Sequence, residues 1–264
     1  MEAGLTSFAA DTALEPIGEN RWRAAYVEER WAVIMGPFGG FLAALLARAL
    51  TEVTERDPRT LSIHFLAAPA PGDLEVSAVV ERRGGSSDSV LLRIEQGGKP
   101  MAVALANAGV WREEQPAWND LAPQKVSAPE DCTLVRRREG TPNFLTQLEV
   151  RWIAGSSQLS ESRENFNRSW VRLASGEPTD VAALAAISDV WMPPAFGRLG
   201  RLAIVPTLDM TVHFRAPVPA GLDWVLVEHR TEHAAGGTWI CDGTLWAPDR
   251  TVLVQVRQQA MLRT

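Results

Sequence analysis

The sequence predicts an α+β fold in which one unit, a helix laid on an antiparallel sheet, occurs twice in tandem. Three observations lead there: a helical apolar pattern followed by strand-like stretches, the return of that order further along, and a short segment shared by both halves. From Phe41, the residues Phe41, Leu42, Leu45, Leu46 and Ala49 recur at helical spacing, and Gly36-Pro37 upstream suits a helix start. This helix should stop near Asp57-Pro58. Strand-like stretches follow at Thr60 to Ala67, Leu74 to Arg82, Ser89 to Gln96 and Met101 to Val110. Pro69 to Gly72, Gly84-Gly85 and Gly97-Gly98 separate them as turns.

Residues 112–131 mix charges with three prolines and little periodicity, as a connection between units does. The expected division is therefore a first repeat at 1–111, a linker at 112–131 and a second repeat at 132–264. In the second repeat, strands are expected around Leu145 to Trp152 and Phe166 to Leu173. A helix from about Thr179 to Trp191, closed by Pro193-Pro194, should follow, and then three strands reaching Leu262. The segment HFLAAPAPG at His64 to Gly72 aligns with HFRAPVPAG at His213 to Gly221, an offset of 149 residues between the two histidines. Order of elements and identity of residues thus agree on a duplication.

Bulk properties exclude several classes. A hydrophobic fraction of 46% with 22% charged residues is that of an ordinary globular chain, so disorder and fibrous repeats are ruled out. The formal charge of -6 gives no pull towards nucleic acid or anionic lipid. Cys132 and Cys241 lie far apart and form neither a disulfide framework nor a metal knuckle, which fits a reducing cytoplasm. The first residues lack the basic and then apolar pattern of a secretory signal. The most apolar stretch, Trp31 to Leu50, is broken by Gly36-Pro37 and Gly39-Gly40 and carries Arg48, so it reads as a core helix and not a membrane span.

Two helix-on-sheet units can join edge to edge into one sheet around both helices, the double hot-dog arrangement. At this point GPFGGFLAALLARAL, HFLAAPAPG, VPTLDMTVHFRAP and VLVQVRQQAML resemble the acyl-CoA thioesterase II family and related double hot-dog thioesterase-like proteins. The resemblance covers nearly the whole chain, most firmly Gly36 to Val110 and Asp180 to Leu262. It implies a tandem double hot-dog with two long central helices wrapped by antiparallel sheets. It further implies a thioesterase that hydrolyses acyl-CoA to the free acid and CoA, needs no cofactor and works as a homo-oligomer.

In that family an Asp, a Thr and a Gln of the second repeat hold and activate a water. The resemblance carries these roles to Asp189 in AAISDVWMPP, to Thr207 in IVPTLDMTVHF and to Gln258 in VRQQAML, with Gln259 as the next register. The residues themselves leave alternatives open. Asp189 near the carboxyl end of an Ala-rich helix is electrostatically disfavoured, which argues for a use, yet it also suits a cap on the chain reversal. Thr207 is ordinary in a strand. Gln258 falls where the run Val252, Val254, Val256 calls for another apolar residue, and an inward amide needs a partner. Asn107, at the comparable point of the first repeat's last strand, would give both amides one structural role.

Strand alternation places Asp209 on the face of Thr207 as a reserve base. His64 and His213 hold equivalent repeat positions and so read as packing residues, while His229 and His233 read as solvated. Gly39 and Gly40 at the helix start permit close backbone approach and offer N–H donors for an oxyanion, or simply close packing. There is no spaced Cys/His or carboxylate cluster for a metal and no GxSxG elbow, P-loop or GxGxxG. Cys241, the one cysteine in a strand, reads as a small apolar side chain. Two other readings remain: a non-catalytic acyl-CoA-binding protein of the same fold, for which Phe38 and the Ala-rich helix start leave room, and an enoyl-CoA hydratase, whose Asp and His pair is not evident.

Overall fold

The computed structural model describes residues 7–34, 36–112, 117–121, 126–136, 140–156, 164–190, 194–199 and 204–262. The first half opens with a short helix α1 (Phe8–Asp11), a hairpin of β1 (Glu15–Gly18) and β2 (Arg21–Tyr26), and a one-turn helix α2 (Glu28–Trp31). The long helix α3 (Gly39–Thr54) follows, then β3 (Asp57–Phe65), β4 (Gly72–Arg82), β5 (Ser87–Gln96) and β6 (Lys99–Gly109). The second half contributes β7 (Thr133–Leu134), β8 (Leu148–Gly155), β9 (Phe166–Leu173), α4 (Val181–Ile187) and α5 (Pro194–Leu199). It ends with β10 (Thr207–Phe214), β11 (Val225–Arg230), β12 (Ala234–Ala235), β13 (Thr238–Trp246) and β14 (Val252–Met261). Four long strands close the second half where the sequence suggested three.

The strands form one sheet in the order β1-β2-β4-β5-β6-β3-β10-β14-β13-β11-β9-β8-β7, with β12 beside β13. Its centre is the antiparallel pair β3 and β10, where Ser62 stands opposite Thr211. These two residues are separated by the repeat offset, and their hydroxyls are 3.3 Å apart. A pseudo-twofold axis therefore passes between them, and the strand order reads outward alike on both sides, with β7 an additional strand at the second edge. Even irregularities are shared: one extra residue follows Pro58 in β3 and Thr207 in β10, opposite Ala108 and Ala260.

The helix α3 is apolar nearly all round because it is enclosed on nearly every side, with Glu52 exposed in its last turn. Phe41, Leu45, Leu46 and Leu50 are fully buried against the inner face of β3 to β6 on one side and α4 on the other. The chain leaves it through Glu55, in the left-handed conformation at φ 54°, whose N–H donates to Thr51 O at 2.8 Å. The two helices run antiparallel. Arg48 on α3 lies 3.2 Å from Asp180, which caps α4 by accepting from Ala183 N at 2.7 Å.

The expectation of two long helices is corrected: α4 has seven residues against sixteen in α3. Thr179 precedes it, Asp189 lies beyond its last residue, and Pro194 opens α5 instead of closing α4. Trp191 and Pro193 are outside the described residues. No helix among the described residues is long and apolar enough to cross a membrane.

Gly40 lies where the two helices cross in close contact. A Cβ there would lie 2.4 Å from the Ala186 carbonyl oxygen and 2.4 Å from a ring carbon of Phe38. The ring can turn, but the backbone oxygen cannot move without shifting α4. Gly40→Ala is therefore expected to cost about 1–3 kcal/mol by overpacking, measured as a lower denaturation midpoint. An unchanged midpoint would mean that the helices separate at no cost.

Candidate active site

Asp189 is carried to the interior by the turn that ends α4. Its backbone N–H donates to Ala186 O at 3.1 Å, and its side chain, 7% exposed, accepts from Gly40 N at 2.9 Å. The carboxylate thus leaves the unfavourable carboxyl end of α4 for the amino end of α3, where unpaired N–H groups and the helix dipole favour negative charge. Phe38, at the cap position of α3, provides no side-chain acceptor, so Asp189 does the capping from a distant part of the chain. A Cβ on Gly39 would meet Asp189 Oδ2 at 2.9 Å, so glycine at 39 keeps the carboxylate's place open. Gly40 has its amide committed to Asp189.

Thr207 and Gln258 meet directly. The Thr207 hydroxyl donates to Gln258 Oε1 at 3.1 Å, and Gln258, 1% exposed, points inward as the run of valines implied. Cys241 stands opposite Gln258 across the ladder. Burial above all, with the carboxylates of Asp242 and Asp189 adding to it, pushes the Cys241 thiol up to about 12. The thiol is therefore kept protonated, as suits a buried apolar neighbour and not a nucleophile.

Several expectations are corrected by register. The extra residue after Thr207 breaks the alternation, so Asp209 pairs with Gln259 and with the exposed His64 on the outer face, away from Thr207. This removes Asp209 as a reserve base and places Gln259 outside too. Leu61 and Met210 are equivalent under the repeat offset; Leu61 pairs with Ala106 and Met210 with Gln258. Ala106, and not Asn107, is the counterpart of Gln258. Asn107 faces outward and donates to Ser89 Oγ at 2.8 Å. By the same reasoning Pro58 is the counterpart of Thr207, so the first repeat lacks the polar pair altogether.

The histidines divide differently from expectation. His64 and His213 are exposed on the outer face and lie outside the core, and His233 is solvated as expected. His229, read as solvated from its charged neighbours, is 1% exposed and sits in the interior, its Nε2 3.1 Å from Ser188 O. Sequence reasoning missed it because Glu228 and Arg230 flank it. The available signal was its place at period two from Val225 and Val227, both fully inward.

A cavity of 420 Å³ opens at the other end of the central strands, lined by Pro58, Trp111, Thr179, Phe214, Pro217 and Val218 among others. Pro58 marks it as the pseudo-twofold mate of the Thr207 end. It carries none of the polar triad. No group of three or more His, Cys, Asp or Glu side chains suited to a metal occurs among the described residues.

Comparison with known proteins agrees with this fold. The chain is similar to a conserved protein of unknown function with a hot dog fold from Alicyclobacillus acidocaldarius. The two share 26% identity and a TM-score of 0.90 over 97% of this chain and 98% of that one. It superposes on the tesB protein MAP1729c of Mycobacterium avium subs paratuberculosis at 19% identity, with a TM-score of 0.81 over 97% and 98% of the chains. With the acyl-CoA thioesterase II TesB2 of Mycobacterium marinum the values are 18% and 0.71 over 97% and 98%. At those identities the likeness to the two mycobacterial proteins concerns the fold. No curated protein matches the chain. Residues 27–109 match the acyl-CoA thioesterase N-terminal domain and residues 129–262 the acyl-CoA thioesterase C-terminal domain, and the chain belongs to that family.

Proposed function

We propose that the protein hydrolyses acyl-CoA to the free acid and CoA by direct attack of a water held by Asp189, Thr207 and Gln258. The observation that carries this reading is the asymmetry of the interior. The Thr207–Gln258 hydrogen bond and the buried Asp189 belong to the second repeat, while Pro58 and Ala106 stand at the counterparts of Thr207 and Gln258. Buried polar groups are costly unless hydrogen-bonded, and a purely structural pair would be expected in both copies of the fold.

In the proposed step Asp189 takes a proton from water as its oxygen bonds to the thioester carbonyl carbon. The Gln258 carbonyl oxygen is engaged by Thr207, which turns its amide N–H groups the other way, towards that water. The oxyanion is stabilised by the Gly39 end of α3, because the Gly40 amide serves Asp189. The C–S bond then breaks, and the thiolate takes up the proton to leave as CoA thiol. The proposal includes a cytoplasmic, homo-oligomeric enzyme built of the two repeats divided at 112–131.

Release of free thiol from a panel of acyl-CoAs of graded chain length tests the reading. Turnover in the wild type is expected to fall by roughly 10²-fold in Gln258→Leu, on the scale of removing one preorganised hydrogen-bond donor. Saturable acyl-CoA binding with no thiol release from any member would instead establish a non-catalytic binding protein.

A further inference from the structure

His229 is buried, titratable and unused in the step above. Its Nε2 lies 3.1 Å from the carbonyl oxygen of Ser188. A carbonyl can only accept, so Nε2 carries the hydrogen. Ser188 C=O and Asp189 N–H belong to the same planar peptide unit. That unit is therefore held at both ends: its oxygen accepts from His229, and its N–H donates to Ala186 O at 3.1 Å. The Asp189 carboxylate is held in turn by Gly40 N.

A second observation is independent of that bond. Gly243 stands opposite His229 in β13, in the middle of the strand, where glycine is unfavourable. A Cβ at 243 would lie 2.6 Å from His229 Cδ2, 2.9 Å from its Nε2 and 2.6 Å from Val256 Cγ1. The glycine makes the space that the imidazole fills. The register traces the same place in the first repeat to Ala78 opposite Leu92, since Leu92 pairs with Ala104 as Gly243 pairs with Val256. There the larger side chain comes from the other strand. The second repeat alone places its bulk on β11, directly beneath the end of α4.

We propose that His229 is a positioning residue, seated by Gly243, that fixes the Ser188–Asp189 peptide and thereby aims the Asp189 carboxylate. This deepens the thioesterase reading and rests on it for the catalytic consequence. Burial, opposed by the Ser188 carbonyl bond and by Glu228, pushes the imidazole down to about 4, so the ring works as a neutral donor near neutral pH.

The test uses His229→Leu and His229→Gln, with Gly243→Ala as a variant that keeps the ring but displaces it. Two quantities are read on folded protein, each checked by its thermal midpoint: kcat and KM for acyl-CoA, and the Gly40 amide resonance in protein labelled with ¹⁵N-glycine. His229→Leu and Gly243→Ala are expected to lower kcat tenfold or more, with KM within about twofold. They should also move the Gly40 amide proton upfield, towards its position in Asp189→Ala. His229→Gln, whose side-chain amide can donate to Ser188 O, should recover most of both.

A Gly40 resonance that stays at its wild-type position in a folded His229→Leu or Gly243→Ala protein would overturn the positioning role. So would wild-type kcat in either variant while Asp189→Asn is impaired. If Asp189→Asn itself turns over normally, the water-holding reading fails, and the Gly40 resonance still decides whether His229 places that carboxylate.

Discussion

Asp189→Asn is expected to lower kcat for acyl-CoA hydrolysis by about 10²–10⁴-fold, the range of a lost general base, while the protein keeps its fold. The separation of the two effects follows from the atoms involved. An asparagine side chain keeps a carbonyl oxygen that can accept from Gly40 N, so the cap on α3 and the antiparallel helix pair survive. It cannot take a proton from water. Asp189→Ala removes both, and adds a stability loss of about 0.5–2 kcal/mol, the size of a lost helix cap. Measuring kcat and the thermal midpoint on the pair therefore resolves chemistry from capping. If Asp189→Asn retains wild-type turnover at an unchanged midpoint, Asp189 is a cap and nothing more.

The second large effect is on stability towards acid. Burial first, against the Ser188 carbonyl bond and Glu228, takes His229 from 6.5 down to about 4 in the folded protein. Above pH 6.5 the ring is neutral whether the chain is folded or not, and stability is complete. As pH falls from 6.5 towards 4, the unfolded chain binds a proton that the folded chain refuses, and stability declines. About two and a half pKa units at roughly 1.4 kcal/mol each give a loss of about 3 kcal/mol by pH 4.

Other groups add losses at lower pH. Burial alone would raise the carboxyls of Glu149 and Glu177, but hydrogen bonds from Arg172 and Arg151, and from Ser7 and Ser175, hold both below 4.5. Those losses are common to wild type and variant. Urea titrations at pH 7 and pH 4.5 on wild type and His229→Gln isolate the histidine: the variant should lose less on acidification. Equal losses in the two proteins would exclude His229 as the source.

How much of this was legible in the sequence depended on whether the information was local. The helix from Gly39, the meander after it and the strand at Phe166–Leu173 were readable because apolar periodicity and Gly or Pro turns act within a few residues. Gln258 was readable as an inward amide for the same reason, and the repeated HF segments gave the offset that the Ser62 and Thr211 pairing realises. Asp209 was misplaced because one extra residue after Thr207 inverts every side chain beyond it, and no local signal marks that residue. The short α4 was overestimated because Val190 and Trp191 continue the apolar pattern past Ile187, where the helix ends.

The sequence by itself determined a duplicated α+β chain, the halves that carry each polar residue, and the family. Tertiary structure decided what those residues touch. It placed Asp189 on the amino end of α3, joined Thr207 to Gln258, and seated His229 in the space left by Gly243. Those partners are 149, 51 and 14 residues apart or belong to different strands. Their meeting depends on how two helices cross against one shared sheet and on a register set by one extra residue, which are properties of the whole packed chain and of no segment within it.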